Sequence, residues 1–230
     1  MSVRSQRHKY AGLLALLLAS LAIQSFDARP GAAGLLSDAF RTALGVAILI
    51  VVFERPCERA GMAAVLVSTV AIGWWRYFSG SSLDHALSIA LHALMSVFLW
   101  AAVWVILHDL FRKPAIGAEN VLGAICGPLI PGDAWAGLNA ITYLLLPTAY
   151  SINPEINALL ADWHGRVALF SYYGFAQTLT IGYADVTPVR APATTLSLLG
   201  ALFGLFYTAV VVSQFVGLAQ SASRETPGKP

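Results

Sequence analysis

The chain has 230 residues, 57% of them hydrophobic and 11% charged, with a mean hydropathy of +0.69. A soluble domain carries about 25% charged residues, so this composition excludes an ordinary water-soluble fold and indicates a membrane protein. The formal net charge of +2 supplies no large basic field, which argues against nucleic acid as a partner.

Six apolar stretches, at about residues 10–26, 35–53, 61–78, 83–108, 116–147 and 193–219, approach or exceed the roughly 20 residues that cross a bilayer core. The expected fold class is an all-α membrane protein with six transmembrane helices. Before the first stretch stand Arg4, Arg7 and Lys9. Arg55 and Arg59 follow the second, Arg112 and Lys113 the fourth, and Arg224 and Lys229 the sixth. The positive-inside rule then places both termini in the cytoplasm. MSVRSQRHKY followed by AGLLALLLASLA also has the build of a signal peptide. Retention as a first span is preferred, and the later topology is the same either way. Cys57 in a charged loop and Cys126 in an apolar segment have neither disulfide nor metal-site spacing.

Trp74, Trp75, Tyr77 and Phe78 close the third stretch as interfacial anchors. Next comes Ser79-Gly80-Ser81-Ser82, with His85 and His92 nearby. A serine hydrolase needs a buried serine on a histidine, with an oxyanion hole and a third group, and no such pattern accompanies these residues. The expectation is that the protein is not an enzyme.

The fourth stretch lacks the arginines or lysines at three-residue intervals that a voltage sensor needs. Its His85, His92 and His108 recur at near-heptad spacing, and His85 and His92 are placed to share a face. Packed neutral histidines are the plainer reading and pH sensing the alternative. In the fifth stretch, Pro128 and Pro131 with Gly127, Gly132 and Asp133 predict a kink or break near 127–133 that faces other helices or another subunit.

Residues 148–192 are too many for a tight turn. Within them residues 167–179, VALFSYYGFAQTL, are apolar and aromatic but too short to cross, which suits a re-entrant helix. Thr180-Ile181-Gly182-Tyr183-Ala184-Asp185 must then be non-helical backbone at membrane depth. If copies of such a loop surround one axis, rings of carbonyl oxygens can replace the water shell of a monovalent cation. Gly182 permits the required backbone conformation, and the helix aims its negative carboxyl end at the same axis.

The run from Phe170 to Leu218, FSYYGFAQTLTIGYADVTPVRAPATTLSLLGALFGLFYTAVVVSQFVGL, resembles the pore module of potassium channels, whose filter reads TVGYGD after a pore helix ending in threonines. It looks most like bacterial channels of the two-pore-type ion-channel domain, with one pore loop per chain. The likeness is strong over about residues 167–219 and weaker over the first four spans.

The resemblance implies a K+-selective homotetramer in a bacterial inner membrane, with K+ as the permeant ion and no cofactor. It divides the chain into a four-span region (1–114), a pore domain (115–220, with pore helix 167–179, filter 180–185 and inner helix 193–219) and a short cytoplasmic tail (221–230). The carbonyls of Thr180, Ile181, Gly182 and Tyr183 would line the ion queue. Tyr172 and Tyr173 would form an aromatic cuff, and Asp185 would fasten the filter to it. Gly200 and Gly204 are hinge candidates, although their spacing of four is also a close-packing signature. Ala184 departs from the family, standing where it has its second filter glycine. A left-handed alanine costs roughly 1–2 kcal/mol per subunit. The alternative is therefore a non-conducting or weakly selective pore-like protein acting as a regulatory or scaffold subunit.

Overall fold

The computed structural model describes residues 9–27, 32–79, 85–112, 118–161, 163–182 and 185–224. Its helices are α1 (Lys9–Asp27), α2 (Ala32–Val52), α3 (Pro56–Ser79), α4 (His85–Arg112), α5 (Ala118–Leu145), α6 (Trp163–Thr178) and α7 (Ala191–Arg224). Two 3₁₀ segments, Pro147–Ala149 and Pro154–Ala161, flank the short strand β1 (Tyr150–Ile152), and β2 (Val186–Pro188) follows α6. Among the described residues, three helices are long and apolar enough to cross a membrane, over Gly34–Val52, His85–Asp109 and Ala191–Ser213. The architecture is mostly helical, as an all-α membrane protein requires.

Local chemistry sets the helix ends. Proline opens α3, where its missing N–H falls among donors that a first turn leaves unpaired. Arg59 folds back from α3, donating from Nε to the Phe53 carbonyl at 2.8 Å and from Nη2 to the Ile50 carbonyl at 3.4 Å. A cation at the last carbonyls of α2 satisfies acceptors that the helix itself cannot.

Two hydrophobic clusters organise the interior. The first joins α1 to α5 through Leu13, Leu17, Ile48, Phe53, Phe98 and Leu99. The second joins α5, α6, the β1–β2 ribbon and the start of α7 through Ala140, Tyr150, Phe170, Tyr173, Val186 and Ala193. Trp100 of α4 stands edge-on to Trp135 of α5 at 5.1 Å and to Phe203 of α7 at 5.3 Å. Lipid tails are as apolar as these side chains, so close packing rather than escape from water favours the helix contacts.

Of the kink or break expected near 127–133, the break does not occur. α5 is helical through Pro128 and Pro131, and residues 126–140 are buried almost throughout. α4 and α6, its most extensive neighbours, hold it from both sides and outweigh the lost backbone hydrogen bonds. The expectation that this segment faces other helices is met.

At the α5–α6 crossing the two backbones nearly touch. A Cβ on Gly174 would lie 2.2 Å from the Gly132 carbonyl oxygen and 2.9 Å from the Ala136 nitrogen. Gly174→Ala is accordingly expected to lower stability in detergent by about 1–3 kcal/mol, measured by thermal unfolding. Gly61→Ala, where a Cβ meets nothing within 4 Å, serves as the contrast and gains about 1 kcal/mol from helix propensity.

Candidate ion-conduction site

The site begins with α6, whose side chains from Leu169 to Thr178 are buried apart from Tyr172. Its carboxyl end closes on itself. The Ile181 N–H donates to the Ala176 carbonyl at 2.8 Å and the Thr180 N–H to the Gln177 carbonyl at 3.2 Å. That is the paired pattern of a Schellman cap, which requires a left-handed residue at its penultimate position. The residue there is Thr180, at φ 55°. Glycine is usual at that position, and a β-branched residue held in that region is strained by roughly 1–2 kcal/mol. Gly182 follows with φ 75°. Two left-handed residues thus alternate with Ile181, and residues 179–182 are exposed on the surface of the single chain.

Past this loop, Asp185 is tied down on both sides. Tyr172 donates its hydroxyl to Asp185 Oδ2 at 3.3 Å, Asn153 donates from Nδ2 to Oδ1 at 3.4 Å, and the Asn153 N–H reaches the Asp185 carbonyl at 2.9 Å. The β1–β2 ribbon extends the seam, pairing Ile152 with Val186 and Tyr150 with Pro188. Of the two cuff tyrosines, only Tyr172 makes this bond with Asp185. Tyr173 turns inward, hydrogen-bonded to Ser197 of α7 and edge-on to the Tyr150 ring at 6.0 Å. Tyr183 and Ala184 lie outside the described residues.

Behind the loop runs a buried polar chain. Tyr150 donates its hydroxyl to Asn139 Oδ1 at 2.7 Å. Asn139 Nδ2 donates to Gln177 Oε1 at 3.0 Å and to the Trp135 carbonyl at 2.8 Å, and Gln177 Nε2 donates to the Leu196 carbonyl at 2.6 Å. Asn139 has no exposed surface, and its carboxamide joins β1, α5 and α6 at one point. Burial pushes the Tyr150 phenol up, the neighbouring Tyr173 adds to this and a hydrogen bond with Thr142 opposes it, so the phenol stays a neutral donor. Sequence reasoning missed Asn139, Gln177, Tyr150 and Asn153. Asn139 carried a signal, because an amide inside an apolar span must find a partner.

Helix α7 passes close against the end of α6. A Cβ on Gly204 would lie 1.7 Å from the Thr178 carbonyl oxygen, and one on Gly200 would collide with the Gln177 side chain. Both glycines are sites of close approach within one uninterrupted helix. Of the candidate histidines, His85 and His108 are exposed, whereas His92 is buried and stacks on Trp163 with centroids 4.7 Å apart. His85 and His92 therefore do not share one environment. Gly80, Ser81 and Ser82 lie outside the described residues.

Compared with protein-family models, with characterised proteins and with solved structures, the chain matches none. The site is thus to be judged on its chemistry. Two substitutions probe its construction by thermal unfolding. Thr180→Gly removes the left-handed strain and is expected to stabilise the protein by about 0.5–1 kcal/mol. Asn139→Leu removes the acceptor of the Tyr150 hydroxyl and the donor to Gln177 Oε1 and is expected to destabilise it by about 1–3 kcal/mol.

Proposed function

We propose that this chain is the subunit of a passive potassium channel, with residues 180–185 as its selectivity filter. The observation that carries the reading is the end of α6. A buried helix delivers exposed backbone with left-handed residues at 180 and 182, between a helix carboxyl terminus and a latched aspartate. Alternating conformations of this kind are what a strand needs to turn successive carbonyls to one side. The negative end of the helix dipole favours a cation at the same place.

Closing a ring of carbonyls takes several copies, and the family likeness implies four. The disposition of α7 supports assembly, since little of its apolar span is buried within its own chain. Leu198, Leu199, Leu205 and Phe206 are all exposed there. In this reading the six apolar stretches all cross the membrane of a bacterial cell, both termini are cytoplasmic, and α6 is the re-entrant pore helix. The span that would hold a voltage sensor carries no arginine or lysine over Ala86–Asp109, so the channel is not voltage-gated through that helix.

Ala184 favours a second reading, a pore-shaped regulatory subunit that does not conduct. One experiment separates the two. The protein is reconstituted in liposomes and K+ flux is measured against Na+, with Ba2+ as a pore blocker. The expected result is Ba2+-sensitive flux that prefers K+. Silence from the wild type followed by conduction from Ala184→Gly would establish the second reading. Silence from both, in verified tetramers, would remove the channel reading altogether.

A further inference from the structure

Besides the packing of α5 on α4 and α1, the head of α6 also reaches the first four helices, through two adjacent residues. Trp163 stacks on His92 of α4, with an interplanar angle of 28°. His164 reaches α2, where its Nε2 lies 3.2 Å from Asp38 Oδ2. Both side chains of this pair are largely buried, 15% and 14% exposed. The His164 ring lies flat against Gly34, and a Cβ there would come within 2.9 Å of Cε1. The bond therefore sits in a fitted seat and joins residues 126 positions apart.

The surroundings give this contact its meaning. A cavity of about 130 Å³ lies between α1–α5 and α6, lined mainly by apolar side chains with Asp38, Arg41, His92, Asp133 and Trp163 among them. Among the described residues, the charged or titratable groups that line this cavity with Asp38 are Arg41 on α2, His92 on α4 and Asp133 on α5. Arg41 is engaged by Ser37 at 3.4 Å, and Arg166 donates to the Leu160 carbonyl at 2.7 Å. The 3₁₀ segment before α6 adds Glu155, which is exposed. Toward the cavity α1 presents Leu17, Ser20 and Ile23, and α3 presents Thr69 and Trp74 among apolar neighbours. Neither contributes a titratable side chain to its lining. Tyr207 of α7 lies elsewhere, against Gly127 of α5. Asp38 is thus the carboxylate bonded to the His164 imidazole.

We propose that His164 and Asp38 form a proton-sensitive fastening through which α2 holds α6, and with it the filter, in place. Neutral imidazole keeps a single hydrogen bond to the carboxylate. The imidazolium adds a full charge to that bond in a site with little water to screen it, and histidine is the side chain that makes this change between about pH 5 and 8. Acid on the face that holds the head of α6 tightens the junction between the two hydrophobic clusters, and alkaline pH loosens it. The proposal deepens the channel reading and rests on it for its effect on conduction.

The test compares K+ flux through the reconstituted full chain at about pH 5.5 and about pH 8 in the wild type, Asp38→Asn and His164→Gln. Glutamine keeps a donor for Asp38, so that variant retains a neutral bond. The wild type is expected to conduct roughly fivefold faster at the lower pH, the gain of one partly buried ion pair, and both variants should be flat. Wild-type flux that ignores pH, or variants as pH-sensitive as the wild type, would overturn the fastening and leave the channel reading standing. Absence of flux at every pH would count against the channel reading instead.

A second measurement then decides the fastening without conduction. Thermal unfolding in detergent is followed at about pH 5.5 and about pH 8 in the wild type, Asp38→Asn, His164→Gln and the double variant. Coupling between the two substitutions is expected to be larger at the lower pH. Equal coupling at both pH values, or none at either, would sink the proposal.

Discussion

Backbone that leaves a helix must find new partners for its amides and carbonyls, and that constraint governs everything around residue 178. The chain meets it by folding the end of α6 into a cap, in which the amides of Thr180 and Ile181 turn back to the carbonyls of Gln177 and Ala176. The cap forces Thr180 into a left-handed conformation that threonine resists. Strain of this kind persists only where the surroundings fix it. Here they do so from three directions: α5 crosses α6 at Gly174, α7 passes close against Thr178, and Asp185 is bonded on both flanks.

The same constraint explains why the polar residues of the core form a connected chain. Each buried amide or hydroxyl needs a partner, and Tyr150, Asn139 and Gln177 supply one another before ending on the Leu196 carbonyl. A satisfied network of this type rigidifies what it touches, while losing one member leaves the others stranded at low dielectric. Its members come from β1, α5, α6 and α7. The loop that α6 presents is therefore held in part by residues of other elements.

How much of this was written in the sequence depends on the range of the interaction. Helix positions followed from apolar length alone: the stretches at 35–53 and 193–219 correspond to α2 and α7, and the short segment at 167–179 to α6. Gly182, Asp185 and Tyr172 were legible because a local motif carries them. The break expected in α5 was not found, since two prolines act locally while packing by α4 and α6 acts along the whole helix. Asn139 and Gln177 are 38 residues apart, and His164 and Asp38 lie farther still. No spacing rule reaches that far. The three-residue strands β1 and β2 are likewise too short to show an alternating pattern, and only their pairing makes them visible.

That small ribbon has a consequence for how the chain can change over evolutionary time. By joining Ile152 to Val186 it closes the 3₁₀ segment, α6 and the loop after it into one staple with fixed feet. Inside the staple, letters can be exchanged while the span stays the same. A residue inserted or lost between the feet would shift the cap or the Asp185 latch out of register. Drift in this lineage should therefore appear within the staple as substitution rather than as changes of length.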